Sequence, residues 1–181
     1  HGVARAGTAT VFPVPIAMAA SFDEELVKEI GDCISTEGRA KYNGFQREKD
    51  YDIYKGLTYW SPNINIFRHE TFGEDPYLTA HMGEKFIEGI QGDDEKFLKA
   101  AACVKHMAVH SGPEALRHEF DAQVSEKDLW ETYLPAFEYC VKEGQVEGTM
   151  GGYSSLNGTP LCGNKRLITD ILREDWGFEG Y

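Results

Sequence analysis

Ala100 to Val104 is a run of small and β-branched residues without a charge, and it ends abruptly on Lys105 and His106. A run this short and apolar reads as a buried strand. Burying an unpaired ammonium is very costly, so at least one of Lys105 and His106 must point into a polar cavity at the strand's carboxyl end. Gly112-Pro113 then breaks the chain, and Arg117 and His118 follow on a loop or helix start. Ligand pockets in parallel α/β folds lie beyond the carboxyl ends of the strands, and this stretch has that layout. A blander reading makes Lys105 a solvated strand end, His106 a satisfied core histidine and Arg117 a surface charge. A third invokes metal: His106, His110, Glu114 and His118 recur every fourth residue and would share one face of a continuous helix. Gly112-Pro113 falls inside that run and should stop such a helix, so no metal site is expected.

The charge balance excludes some partners. The 181 residues carry 30 Asp+Glu against 18 Lys+Arg, a formal net charge of -12, and no basic cluster offsets it. Phosphate backbones and anionic lipid would repel such a chain, so neither nucleic acid nor a membrane surface is an expected partner. Cys33, Cys103, Cys140 and Cys162 are widely spaced, which suggests neither a zinc knuckle nor a disulfide framework. No signal peptide or bilayer-length apolar run is evident, and the absent initiating methionine suggests an excerpt from a longer chain.

Along the chain, Thr8 to Ala19 carries Pro13 and Pro15 and reads as a loop running into a short strand end. Ser21-Phe-Asp-Glu24 has the capping-box pattern, and Leu26, Val27, Ile30, Cys33 and Ile34 follow at helical spacing, so a helix is expected through about Lys41. Asn43 to Gly56 reads as a surface loop. Leu57 to Phe67 has strand character interrupted by Ser61-Pro62-Asn63, and Tyr59, Trp60 and Asn63 suit either a pocket wall or an aromatic core edge. Asp75-Pro76 opens a helix facing inward through Leu78, Met82, Phe86, Ile87 and Ile90. Ser125 caps another, with Leu129, Tyr133, Leu134, Phe137, Cys140 and Val141 inward and a kink at Pro135. Gln145 to Met150 reads as a strand, residues 151–163 as a turn-rich loop, and Asn164 as the cap of a last helix. No hairpin is expected. Strand-helix units about 40 residues apart, without a dinucleotide glycine fingerprint, favour a (β/α)8 barrel that three or four units cannot close.

Several motifs then become recognisable. Lys105-His106 with Arg117-His118, Ser125-Glu-Lys-Asp-Leu129 with Glu131-Thr-Tyr-Leu-Pro-Ala-Phe137, Met150-Gly-Gly-Tyr153, Asn157-Gly158, and Leu167-Ile-Thr-Asp-Ile-Leu-Arg173 with Trp176-Gly-Phe178 closely resemble glycoside hydrolase family 3. So do His1-Gly-Val-Ala4, Tyr59-Trp-Ser-Pro-Asn-Ile-Asn-Ile-Phe-Arg68 and Thr71-Phe-Gly-Glu-Asp-Pro-Tyr77, and the likeness is to its bacterial β-glucosidase and β-xylosidase branch.

The resemblance implies that residues 1–181 are part of an N-terminal (β/α)8 domain of a retaining, exo-acting β-glycosidase, an α/β fold needing no cofactor. Its partners would be a β-linked oligosaccharide or glycoside and the remainder of its own polypeptide. By position, Lys105 and His106 would hydrogen-bond sugar hydroxyls, Arg117 would add a contact, and Met150 and Tyr153 would line the subsite beside the nucleophile. No catalytic residue is assigned within the chain: the family's nucleophilic aspartate is expected just beyond Tyr181 and its acid/base glutamate in a later domain. Between Arg68 and His69 the family carries a short stretch rich in Asp, Pro, Arg, Trp and Gly, so a deletion or an omitted segment is expected there. Two other functional classes remain at this point. One is a non-catalytic carbohydrate-binding piece, and the other a zinc hydrolase using His106, His110 and His118.

Overall fold

The computed structural model describes residues 3–66 and 70–181, so the expectation for the Arg68–His69 junction falls outside the described residues. In chain order the elements are α1 (Pro15–Ala19), α2 (Glu24–Glu48), β1 (Thr58–Tyr59), α3 (Pro76–Gln91), β2 (Ala101–Met107), β3 (Asp121–Ala122), α4 (Glu126–Asp128), α5 (Pro135–Lys142), β4 (Gly148–Gly151), β5 (Ser155–Leu156) and β6 (Thr159–Pro160), before a final helix, Arg166–Asp175.

β1, β2 and β4 pair in parallel, with β2 in the middle. The chain continues this sheet at its last residue: the Tyr181 amide donates to the Glu147 carbonyl at 3.1 Å, and its own carbonyl accepts from Thr149 at 3.0 Å. Parallel strands require long crossovers, and helices supply them here. α3 joins β1 to β2, α4 and α5 join β2 to β4, and the final helix leads to Tyr181. This is an incomplete (β/α)8 barrel.

The helix expectations hold best where cap and apolar stripe coincide. The Asp75 carboxylate accepts from Leu78 N at 2.7 Å, and Met82, Phe86, Ile87 and Ile90 are buried behind it. Asn164 likewise accepts from Leu167 N at 3.2 Å, above the buried Leu167, Ile171 and Leu172. Elsewhere the structure corrects the sequence reading. Residues 15–19 form α1 rather than a strand end, because proline is pre-organised for a first helical turn that needs no amide there. The cap of α2 is Asp23, accepting from Leu26 N at 3.0 Å; Ser21 instead donates to the Met18 carbonyl. α2 runs on to Glu48, seven residues past Lys41, until Lys49 turns left-handed. Much of the supposed surface loop after Asn43 is therefore helix. Leu26, expected inward, is exposed.

Where a kink was expected at Pro135, the turn before it is widened. Leu134 N bonds back five residues to the Leu129 carbonyl at 2.9 Å, which removes the clash a proline ring makes in a regular helix. The region after β4 contains a hairpin where none was expected. β5 and β6 pair antiparallel around Asn157-Gly158, both at positive φ (48° and 83°), the combination that two-residue hairpin turns demand.

α3 packs against both α2 and α5, and its approach to α2 depends on glycine. A Cβ on Gly89 would stand 2.1 Å from the Lys28 carbonyl oxygen, and one on Gly31 would stand 2.8 Å from that of Phe86. Ser35 Oγ crosses the same contact to the Gly89 carbonyl at 3.0 Å. Gly89→Ala is therefore expected to destabilise the protein by about 1–3 kcal/mol through forced separation of the helices, read as a lower urea midpoint at unchanged m-value.

Candidate functional site

β2 stays paired through Lys105: Lys105 N donates to the Pro62 carbonyl at 3.1 Å, and its carbonyl accepts from Ile64 N at 3.0 Å. The strand is thus longer than the apolar run that suggested it, because main-chain pairing is indifferent to the polarity of the side chain. The polar switch at Lys105-His106 falls at the carboxyl end of β2, beside Asn63 and the last residues of β4.

The two neighbours face different spaces. Lys105, only 7 % exposed, lines a cavity of about 220 Å³ with Trp60, Ser61, Asn63, Glu70 and Phe72. Its ammonium stands 3.7 Å from the Glu70 carboxylate, a partner for a charge held largely out of water. Asn63 Nδ2 is buried in the same wall and has no hydrogen-bond partner among the described residues. His106 lines a second, narrow cleft of about 10 Å³, together with Asn65, Ser111, Arg117, Gly152 and Tyr153. Three of the five sequence-predicted residues, His106, Arg117 and Tyr153, therefore share one cleft, while Lys105 borders the next cavity. Met150 lines neither; it lies opposite Lys105 in the sheet register.

The rim of the cleft is aromatic and cationic. The Arg117 guanidinium sits 5.9 Å from the centre of the Tyr153 ring, and His118 packs on that ring at 4.7 Å between centroids. Arg117 is also held by Glu114 at 2.7 Å. The loops carrying these groups are tied to each other through backbone: Asn157 Oδ1 accepts from Val124 N and its Nδ2 donates to the Val124 carbonyl, both at 2.9 Å. Asp121 accepts from Gly158 N at 2.8 Å, and β3 pairs in parallel with β5.

Tyr59, one of the expected pocket-wall aromatics, lines a separate cavity of about 260 Å³ with Val3, Ile53, Tyr54 and Trp60, and its hydroxyl reaches α2, where a Cβ on Gly38 would collide with it. Trp60 and Asn63 do border the Lys105 cavity. Sequence reasoning missed Asn65 and Ser111. Asn65 had a signal: Asn63 and Asn65 alternate with Ile64 and Ile66, and all four are buried, so one face of this strand extension is polar inside the protein.

The histidines proposed for zinc do not share a helix. His106 is on β2, His110 in the loop after it, and His118 in a turn beyond Glu114–Leu116. Among the described residues no three His, Cys, Asp or Glu side chains cluster as metal ligands. The cysteines among them are free, and burial pushes the Cys103 thiol up to about 11, away from nucleophilic use near neutrality.

Chemically, the cleft offers hydrogen-bond donors and an aromatic rim, with no carboxylate in its lining. Such a set grips hydroxyl groups, but by itself supplies neither nucleophile nor general acid. Behind it, His110 packs between Phe120 (5.4 Å) and Tyr133 (5.8 Å), with Tyr133 Oη 3.2 Å from Nδ1. Burial lowers the His110 pKa and raises that of Tyr133. A histidine kept neutral in the fold takes up a proton more readily when unfolded, so its contribution to stability is full above about pH 6.5 and falls as pH drops through the lower folded value. The melting temperature should accordingly fall between pH 7 and 5, and His110→Gln should flatten that slope.

Comparison with known proteins bears on the identity of this scaffold. The family model for the glycosyl hydrolase family 3 N terminal domain matches residues 60–181. A xylan 1,4-beta-xylosidase of Xylanibacter ruminicola is 46% identical over 194 residues, covering 99% of this chain and 22% of the relative. A beta-xylosidase/alpha-L-arabinofuranosidase of Medicago sativa subsp. varia is 40% identical, covering 100% of this chain and 25% of the relative. Among solved structures, a GH3 exo-beta-xylosidase in complex with a xylobiose aziridine probe superposes with a TM-score of 0.81 at 33% identity, over 94% of this chain and 23% of that one. Beta-glucosidase 3B of Thermotoga neapolitana superposes with 0.77 at 31% identity, over 95% of this chain and 22% of that one. The chain thus spans about a quarter or less of the length of these relatives. The matched motifs, the parallel sheet and the superpositions together place the chain in glycosyl hydrolase family 3, as part of the family's N-terminal domain.

Proposed function

We propose that residues 1–181 are a partial N-terminal (β/α)8 domain of a retaining, exo-acting β-glycosidase, and that they supply part of the pocket for the nonreducing-end sugar. The observation that carries this reading is the meeting of His106, Arg117 and Tyr153 at the carboxyl ends of the parallel strands, with Lys105 lining the adjoining cavity. His106 and Lys105 would donate to sugar hydroxyls, Arg117 would add a charged contact, and Tyr153 would line the subsite from its exposed position on the rim. Met150 would shape the floor of this region from β4. Hydrogen bonds of this kind accelerate cleavage when they tighten as positive charge develops at the anomeric carbon.

Retention needs two carboxylates about 5 Å apart, one as nucleophile and one as acid/base. The cleft lining holds no carboxylate and the adjoining cavity holds Glu70 alone, so both catalytic groups would come from the rest of the polypeptide. β-Xylosides are the first substrates to try, because the more similar relatives carry xylosidase names while the glucosidase structure is 31% identical.

The test uses the full-length polypeptide that contains this chain. It should hydrolyse 4-nitrophenyl β-D-xyloside or the β-glucoside with retention, seen by NMR as β-anomer released first. Lys105→Ala should lower kcat/KM by about 10²–10³-fold, the cost of losing a hydrogen bond to a sugar hydroxyl that strengthens in the transition state. The isolated 181-residue chain should turn over neither substrate. Inversion, or clear turnover by the isolated chain, would refute the division of labour proposed here.

A further inference from the structure

We infer that Asn65 is a positioning residue for His106, acting by holding the peptide on both sides of that histidine; the inference rests on the functional reading of the cleft given above. At His106 the regular ladder fails on one side of the strand. The pairing of β2 with β4 jumps from Lys105↔Met150 to Met107↔Gly151, which leaves His106 opposite no residue of β4. On the other side, main-chain bonding with the β1 extension is traced through Ile64 N and the Lys105 carbonyl. The Asn65 side chain takes over one residue later. Its Oδ1 accepts from His106 N at 2.7 Å, and its Nδ2 donates to the His106 carbonyl at 2.9 Å and to the Ala108 carbonyl at 3.3 Å. A carboxamide is the side-chain group that can play donor and acceptor at once in this way.

Asn65 is itself fixed. It is 3 % exposed, and its backbone amide donates to Asn63 Oδ1 at 3.2 Å. Ile64 and Ile66 on either side of it are buried, which anchors the strand extension. Asn65 is therefore a short, rigid link between that extension and the residue that presents an imidazole beside Arg117 and Tyr153. A displacement of about 1 Å in such a group is enough to cost on the order of 10²-fold in rate.

Asn65→Asp is the informative substitution. It keeps an acceptor for His106 N but sets a second oxygen against the His106 and Ala108 carbonyls. In the full-length enzyme, with 4-nitrophenyl β-D-xyloside and β-D-glucoside, kcat/KM should fall about 10²-fold, with kcat falling more than KM rises. In a His106→Ala background the same change should cost less than about threefold, because a residue acting through His106 loses its effect once that side chain is gone. A readout independent of turnover is the rate of His106 carbethoxylation by diethyl pyrocarbonate, followed by mass spectrometry. That rate should change severalfold in Asn65→Asp, while the rate at His81, which sits on α3 between Tyr77 and Tyr139 and away from the cleft, stays constant.

Equal losses in the two backgrounds, or unchanged kinetics and unchanged His106 labelling, would overturn the inference. If Asn65→Asp does not fold, Asn65→Ser enters the same comparison, and failure of both to fold would assign Asn65 to stability alone. A parent enzyme that cleaves neither glycoside would end the functional reading instead, and the labelling rates would still decide the role of Asn65.

Discussion

Parallel pairing on both edges of β2 is the constraint from which the rest of this structure follows. A strand bonded in parallel to β1 and to β4 cannot turn back through a hairpin, so the chain must cross over the sheet by helices each time. That requirement aligns the carboxyl ends of β1, β2 and β4 on one side and sends every connecting loop there out into the same region. Lys105, His106 and Tyr153 are neighbours for this reason, although nearly 50 residues separate the first from the last.

Where the ladder stops, side-chain amides and carboxylates continue it. Asn65 serves the His106 peptide, Asn157 serves Val124 from both its atoms, and Asp121 receives the Gly158 amide. Buried or half-buried peptide groups that leave a sheet must find partners, and short polar side chains are the nearest source. The loops around the cleft are therefore tied down by specific hydrogen bonds as well as by buried residues such as Val109, Ala122, Leu156 and Leu161. The helical layer behind the sheet works differently. There α2, α3 and α5 are held by apolar burial, with Gly31 and Gly89 allowing the backbones of α2 and α3 to close on each other.

The division between donors and acids also has a physical basis. Lys105 is kept largely dry and Arg117 lies over an aromatic ring, settings that would suit the hydroxyl recognition proposed for these cations. A catalytic carboxylate pair needs the opposite environment, two anions close together with their protonation split between them. The cleft holding Arg117 and the cavity holding Lys105 offer the first setting, and the one carboxylate in their lining is Glu70. The family shared with much longer relatives gives that asymmetry a place in a larger protein.

The chain's own order of residues determined the strand-helix alternation, the caps at Asp75 and Asn164 and the polar switch at Lys105-His106, because each depends on neighbours within a few positions. It also held signals that were easy to misread. Asn157-Gly158 marks a hairpin, and Asp23 caps α2 more directly than Ser21. What only the tertiary structure decided is where the side chains point. Lys105 and His106 line separate spaces, the Tyr59 hydroxyl reaches α2, and Asn65 completes a peptide 41 residues away. Local sequence sets backbone preference over one or two turns, whereas the direction of a side chain beyond a strand end depends on which distant peptide groups are left needing a partner.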